Sequence, residues 1–288
     1  MAYMHIDNLY RDQRVLQYKK LWATEKIHGT SAWITWRDDM ITLHSGGGSS
    51  VVFKELFDLP FITVKFVELF GSKTVKLHGE FYGGKIQKMS HVYGKSDFIM
   101  FDIKVEDVFL SHDKVISLGK TFGIPVVESR IIDATLEEID RIRALPSALA
   151  IWKGNGFHVR EGIVLKPLEE CVSNNGKRVI AKHKNDEYME TETQRTVDPE
   201  ALQRLEDGKA IALEWVVPNR FDHVIDHIMS GALQDLDRTH TKVVIDEMIA
   251  DIRREGEEEI VWNQAVDRAI AAETRKLFFK WLDDQIGE

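Results

Sequence analysis

The chain has 288 residues, 43% of them hydrophobic and 30% charged, which supplies core for one large domain or two ordinary ones. A single cysteine, Cys171, excludes an intrachain disulfide and a cysteine-based metal site; with no leader pattern in MAYMHIDNLY and no apolar run near ~18 residues, the expectation is a cytoplasmic protein away from membranes. The net charge of −9 is unevenly held: residues 1–190 carry 26 Lys+Arg against 25 Asp+Glu, and residues 191–288 carry 12 against 22, so the first two-thirds stays free to offer nucleic acid a basic face.

In chain order, residues 1–20 offer Leu9, Tyr10, Val15, Leu16 and Tyr18 as packing contacts. From Leu21 to Leu43 the pattern predicts strand, a connecting TEKIHGTSA (Thr24–Ala32), strand, a turn at Arg37–Asp39 and a third strand, all in one sheet. A glycine-serine loop follows at Ser45–Ser50; such a loop is either a connector or a phosphate cradle. Apolar spacing predicts a helix over 51–72 broken at Pro60, a strand over Thr74–Gly84 and another over Asp97–Val105. It then predicts a helix over 111–123, an extended piece over 124–133 and a helix over 135–152. The strand REGIVLKP (Arg160–Pro167) and a hairpin over Asn174–Asn185, signalled by Asn-Asn-Gly, complete the first part. TETQRTVDPE (Thr191–Glu200) reads as a linker, and every long apolar pattern after it is helical. The predicted fold class is α+β: an antiparallel-sheet domain over residues 1–195, then a small all-helical domain over 196–288.

The stretch with the most chemistry is Glu25-Lys26-Ile27-His28-Gly29. A lysine amine attacks only when neutral, and the ordinary lysine pKa near ~10.4 makes burial, a nearby cation or a metal the means of getting there. Gly29 permits a sharp turn and close approach of backbone to a phosphate. Further on, Glu161 and Lys166 lie five apart and face opposite ways if their strand is regular. Lys182 and Lys184 lie two apart and share a face, a costly pairing of cations unless an anion meets them.

The Lys-x-x-Gly spacing resembles the nucleotide-attachment motif of the covalent nucleotidyltransferases, and EKIHGT in full looks like the type 2, nick-sealing and RNA-editing-like RNA ligases. HGEFYGG with Glu80, MFDI with Phe101, EGIVLKP with Glu161 and Lys166, and IAKHKN with Lys182 and Lys184 follow in the order that superfamily uses. VVPNRFDHVIDHI (Val216–Ile228) is similar to the helix start of the type 2 helical domain, and no OB-fold segment follows Asn185. The resemblance implies an adenylation domain in which Lys26 attacks the α-phosphate of ATP to give lysyl–AMP. AMP then passes to an RNA 5′-phosphate, and a 3′-hydroxyl seals the nick. It implies that Glu25 reads the adenine edge, Phe101 stacks on the base and Glu80 holds the ribose. Ile27, His28 and Gly29 complete the nucleotide site, with His28 towards pyrophosphate. Lys166, Lys182 and Lys184 would meet phosphates, and Glu161 would support Mg²⁺ or Mn²⁺. The expected partners are ATP and RNA ends in a nicked duplex, met by a monomer, with Arg220 and Lys276 as helical-domain contacts. The alternatives are a DNA ligase, a capping guanylyltransferase or a non-catalytic nucleic-acid-binding protein of this fold. One departure stands out: His44-Ser45-Gly46-Gly47-Gly48 lies where the family has an arginine, so that phosphate contact is either missing or supplied by Lys54 or another residue.

Overall fold

The computed structural model describes residues 3–87, 90–173, 176–188, 198–230, 235–256 and 259–286. The chain divides into two compact units, Met1–Arg195 and Thr196–Glu288. The first contains β1 (Lys20–Lys26), β2 (Thr30–Arg37), β3 (Met40–Ser45), α1 (Ser50–Glu55), α2 (Leu59–Phe70), β4 (Val75–Tyr82) and α3 (Ser90–Tyr93). After these come β5 (Asp97–Val105), β6 (Val108–Phe109), α4 (His112–Phe122), β7 (Ser129–Asp133), α5 (Leu136–Arg143), α6 (Ala148–Trp152), β8 (Gly162–Pro167) and β9 (Ala181–Lys184). The second unit holds α7 (Pro199–Trp215), α8 (Pro218–Ser230), α9 (Thr241–Glu255) and α10 (Gln264–Ile286). Among the described residues the fold is the α+β class expected, with antiparallel strand pairs followed by helices.

The expectation of one sheet through TEKIHGTSA is wrong. Strand β1 lies in a four-stranded sheet of order β7-β1-β8-β9, and β2 lies in a five-stranded sheet of order β3-β2-β4-β5-β6. Residues 27–29 carry the chain from one sheet to the other, so the lysine motif stands at their junction. β1 finds its partners more than a hundred residues away, Lys20 opposite Asp133 and Lys26 opposite Gly162. No local spacing announces such pairing.

One face of the five-stranded sheet is the main core. Ala32, Ile34, Trp36, Val75, Leu77, Phe98 and Ile103 alternate inward along their strands and meet Phe53, Ile62 and Phe66 from α1 and α2 and Val115 and Phe122 from α4. Trp36 and Phe66 stack with centroids 5.6 Å apart. The helices thus occupy one face of this sheet and leave residues of the other, Ser31 and Glu80 among them, to line a cavity.

Two helix boundaries differ from expectation. Pro60 does not break a helix: it sits in the first turn of α2, where its missing N–H costs nothing, and the Asp58 side chain caps that turn. The break falls between Glu55 and Leu59 instead. The helix expected over 135–152 is two helices, separated by Leu145-Pro146-Ser147, with the Ser147 hydroxyl accepting from the Ala150 N–H to start α6. Pro199, placed in the linker, opens α7 under an Asp198 cap; most of that linker, and Asn174 and Asn175 of the hairpin turn, lie outside the described residues.

The helical unit has its own core of Ala212, Phe221, Val224, Val244, Met248, Ile270 and Phe278. Arg220 binds Asp251 and Glu255, each at 2.5 Å, and Lys276 binds Glu273 at 2.7 Å. Both cations expected to face nucleic acid therefore have carboxylate partners within the unit. No helix among the described residues is long and apolar enough to cross a membrane.

Replacing Phe66 by alanine should lower the unfolding free energy of the first unit by about 3–5 kcal/mol in urea titrations, through the cavity left under the sheet. Val67→Ala, one residue along and 53% exposed, should change it by less than about 0.5 kcal/mol.

Candidate active site

Strand registers build the site. Across β1, β8 and β9, Thr24, Val164 and Lys182 lie opposite one another, as do Lys26, Gly162 and Lys184; Trp22 lies opposite Lys166. Side chains two apart on a strand share a face, so Lys26, Lys166, Lys182 and Lys184 belong to one face of this sheet. The middle position of the lysine row is a glycine. A Cβ on Gly162 would lie 2.3 Å from the His183 carbonyl oxygen, so only glycine lets β8 and β9 approach there.

The carboxylate of Glu161, the residue before that glycine, fills the space between the lysines. Its Oε2 is 3.0 Å from Lys26 Nζ and 3.3 Å from His28 Nδ1, and its Oε1 is 3.2 Å from Lys184 Nζ. Burial acts to raise the Glu161 pKa, but the His28 hydrogen bond and the charges of Lys26 and Lys184 outweigh it and hold the group down at about 2. Glu161 and Lys166 escape the opposite-face rule because Glu161 precedes β8, whose first residue is Gly162.

Glu80 approaches from the other sheet. Its Oε1 accepts the Gly29 N–H at 3.2 Å. A Cβ on Gly29 would lie 2.5 Å from the Phe81 carbonyl oxygen, so this glycine is required for contact with β4 and has no left-handed backbone. Burial pushes the Glu80 pKa up to about 7, opposed by Lys26 and reinforced by Glu161.

A cavity of about 410 Å³ opens beside these groups, lined by Glu25, Lys26, Ile27, Ser31, Glu80, Phe101, Val164, Lys166 and Lys182, with Tyr3 to Ile6 on one side. Glu25 is 2% exposed. Its Oε2 accepts the N–H groups of Ala148 and Leu149 at 2.9 and 3.3 Å, at the start of α6. Its Oε1 is buried and has no hydrogen-bond partner among the described residues. Burial raises the Glu25 pKa against the Ser147 hydrogen bond and the Arg160 charge. The Ile27 side chain packs with Tyr82, Tyr93 and Leu149 in a small core. His28 lies 5.6 Å, ring to ring, from Tyr188.

Lys166 behaves differently from the other lysines. Its amine lies 2.9 Å from both Asp102 Oδ1 and the Phe101 carbonyl oxygen, in a site only 4% exposed. Asp102 also receives Arg178 at 2.9 Å and the Tyr3 hydroxyl, while Arg178 binds Glu170 at 2.5 Å. Burial opposes ionisation of Asp102, but Lys166 and Arg178 hold its pKa well below the usual carboxylate range. Burial lowers the Lys166 pKa, with Asp102 opposing. Sequence reading missed this cluster. The only signal was Asp102 directly after Phe101 in MFDI.

The glycine loop lies apart: Gly46, Gly47, Gly48 and Ser49 line a separate cleft of about 530 Å³ with Thr30, Lys85 and Ser96. Lys54, one expected substitute for the missing arginine, is exposed on α1.

A profile of the RNA ligase family matches residues 19–184, more than half of the chain and all of it from β1 to the end of β9. The chain belongs to the RNA ligase family. Among solved structures it is similar to the RNA ligase of Naegleria gruberi. A Lys-to-Met mutant of that protein with AMP and Mn is matched with a TM-score of 0.50 and 20% identity over 65% of this chain and 57% of that one. The same ligase with PPi is matched at 0.50 and 22% identity, over 66% and 57%. A Lys-to-Ala mutant with ATP and Mn is matched at 0.50 and 20%, over 65% and 57%. At that identity the likeness shows the fold, and this chain spans a little over half the length of those ligase chains. A search of curated protein sequences gives no match.

Glu80 makes stability depend on pH with a defined sign. A carboxyl whose pKa rises from about 4.5 to about 7 on folding holds its proton more tightly when folded, so folding weakens as pH climbs through that window. Glu80→Gln should therefore be more stable than the unaltered protein at pH 8, by about 1–3 kcal/mol in urea titrations, with the gap closing near pH 4.5.

Proposed function

We propose that this chain is an ATP-dependent RNA ligase that joins 3′-hydroxyl and 5′-phosphate ends, sealing nicks in the manner of the type 2 branch. The observation that carries the reading is the Lys26 amine, held by Glu161 at the rim of a cavity that also exposes Phe101 and Glu25. The residues 1–195 would then be the adenylation domain and 196–288 an accessory helical domain.

The residues fit an adenine nucleotide. The unpartnered Oε1 of Glu25 offers an acceptor to an exocyclic amine. The Phe101 ring offers a stacking face, and Glu80, near its titration point at neutral pH, suits a ribose hydroxyl. The phosphates would fall among Lys26, Lys182, Lys184 and His28. Lys166 is held by Asp102 at 2.9 Å and would meet a phosphate only by leaving that carboxylate.

The donor set also fits a divalent ion. Glu161 is ionised, and among the described residues no group of three or more His, Cys, Asp or Glu side chains could hold a metal unaided. Magnesium or manganese bound by Glu161 would take its remaining ligands from water and phosphate, and would neutralise phosphate charge. The neighbouring ligase structures with ATP, AMP and Mn support both assignments.

The chemistry is three displacements at phosphorus. In the first, the neutral Lys26 amine forms an N–P bond to the α-phosphate as the bond to pyrophosphate breaks, and the lost N–H proton goes to solvent. In the second, an oxygen of the RNA 5′-phosphate displaces Lys26 and forms a 5′–5′ pyrophosphate with AMP. In the third, the 3′-hydroxyl displaces AMP and closes the strand. This chain's residues position and neutralise: Glu161 orients Lys26, with a pKa too low for it to be an effective proton acceptor at neutral pH, and Lys184 faces the same carboxylate.

The test is incubation with Mg²⁺ and α-labelled ATP or GTP, read on a denaturing gel beside Lys26→Ala. Label from ATP alone, lost in the variant by at least about a hundredfold, is expected. Label from GTP would indicate a capping-type enzyme, and none from either would leave a nucleic-acid-binding protein. Sealing of nicked duplexes with ribose or deoxyribose at the 3′ end then separates RNA from DNA ligation, with ribose expected to be preferred.

A further inference from the structure

The segment Tyr3–Ile6 belongs to no helix or strand, yet it forms one side of the cavity that holds Lys26 and Phe101. It is pinned at both ends. On its C-terminal side the Leu9 N–H donates to the Lys182 carbonyl and the Lys182 N–H to the Asp7 carbonyl, each at 2.9 Å, which ties residues 7–9 to β9. On its N-terminal side the Tyr3 hydroxyl donates to Asp102 and accepts from Arg178 Nη1 at 2.7 Å. Met4, His5 and Ile6 span the interval between these anchors.

The Tyr3 ring meets the Phe101 ring edge-on, with centroids 4.9 Å apart and planes at 77°. It also meets His78 at 5.0 Å. Phe101 is only half-buried: it packs at the edge of the small core that holds Ile27 and Val127, and it also lines the cavity. An edge-to-face contact of this kind restrains a partner ring and adds to its burial. Between the anchors, Met4 and Ile6 are apolar, and His5 is the one titratable side chain. Such a wall suits a base and sugar better than phosphates.

We infer that Tyr3–Ile6 is a strap that walls the base end of the nucleotide pocket, and that Tyr3 is a positioning residue which holds Phe101 against the base. The inference rests on the ATP reading above. The strap joins the pocket to β9 and to the Asp102–Lys166 cluster, so nucleotide in the pocket restrains a segment that itself lies outside every helix and strand. Tyr3 acts on affinity for the nucleotide through the ring and has no part in the displacement at phosphorus.

The experiment measures lysyl–AMP formation against ATP concentration for the unaltered protein, Tyr3→Phe and Tyr3→Ala. Tyr3→Ala should raise the half-saturating ATP concentration by about threefold to tenfold, with the maximal rate within about threefold. Tyr3→Phe keeps the ring and should stay within about twofold of the unaltered protein. An unchanged half-saturation in Tyr3→Ala, or a loss confined to the maximal rate that Tyr3→Phe fails to restore, overturns the role of Tyr3.

Hydrogen exchange on the unaltered protein tests the strap even where Tyr3→Ala fails to fold. A peptide spanning residues 3–9 should exchange more slowly when ATP and Mg²⁺ are present. Unchanged exchange in a protein that forms lysyl–AMP overturns the strap and leaves the ligase reading standing. An unaltered protein that neither takes label nor binds ATP removes both.

Discussion

Four charged or chargeable groups meet where β1, β8 and β9 run together, and a single carboxylate makes that meeting possible. Two lysine ammonium groups near one another repel by about 4 kcal/mol at 4 Å in a partly screened environment. Glu161 lies within 3.3 Å of Lys26, His28 and Lys184 and offsets that repulsion. Removing it would leave cations without a counterion in a half-buried cleft, a change that ordinarily costs about 3–5 kcal/mol. On the proposed reading, incoming phosphates would take over the lysines, and the carboxylate would be released for a divalent ion.

The two-sheet arrangement follows the same constraint. A single continuous sheet would set Lys26 and Glu80 along one surface, with nothing across from it. By passing from one sheet to the other at residues 27–29, the chain brings Glu80 and Ser31 from β4 and β2 to the cavity that Lys26 and Lys182 line from the other sheet. Two glycines permit the close contacts this needs, Gly29 against the Phe81 carbonyl and Gly162 against the His183 carbonyl. The helices α1, α2 and α4 bury the apolar face of the five-stranded sheet and make a firm backing for the cavity.

The sequence made the local chemistry legible. Lys182 and Lys184 share a face because strand periodicity is two, and glycine spacing marked the lysine motif. What it hid was long-range. The Asp102–Lys166 pair joins residues 64 apart, and nothing in EGIVLKP says that one of its lysines is engaged by a buried acid. The sheet assignment failed for a related reason: adjacent strands usually pair, whereas β1 pairs with β7 and β8. Pro146 was read through because the apolar spacing of Ile139, Ile142 and Leu145 continues towards it, although proline and Ser147 together mark the end of one helix and the cap of the next. Arg220 and Lys276 looked free as letters, and each has carboxylate partners in space.

The central claim is that Lys26, and not Lys166, Lys182 or Lys184 on the same sheet face, is the amine that reacts. The most direct measurement is peptide mapping by mass spectrometry of the protein after incubation with ATP and Mg²⁺. The account predicts one added AMP per chain, carried on the peptide containing Lys26, labile in acid and stable in base as a phosphoramidate is. AMP on the peptides of Lys166, Lys182 or Lys184, or none on a folded protein, would contradict it.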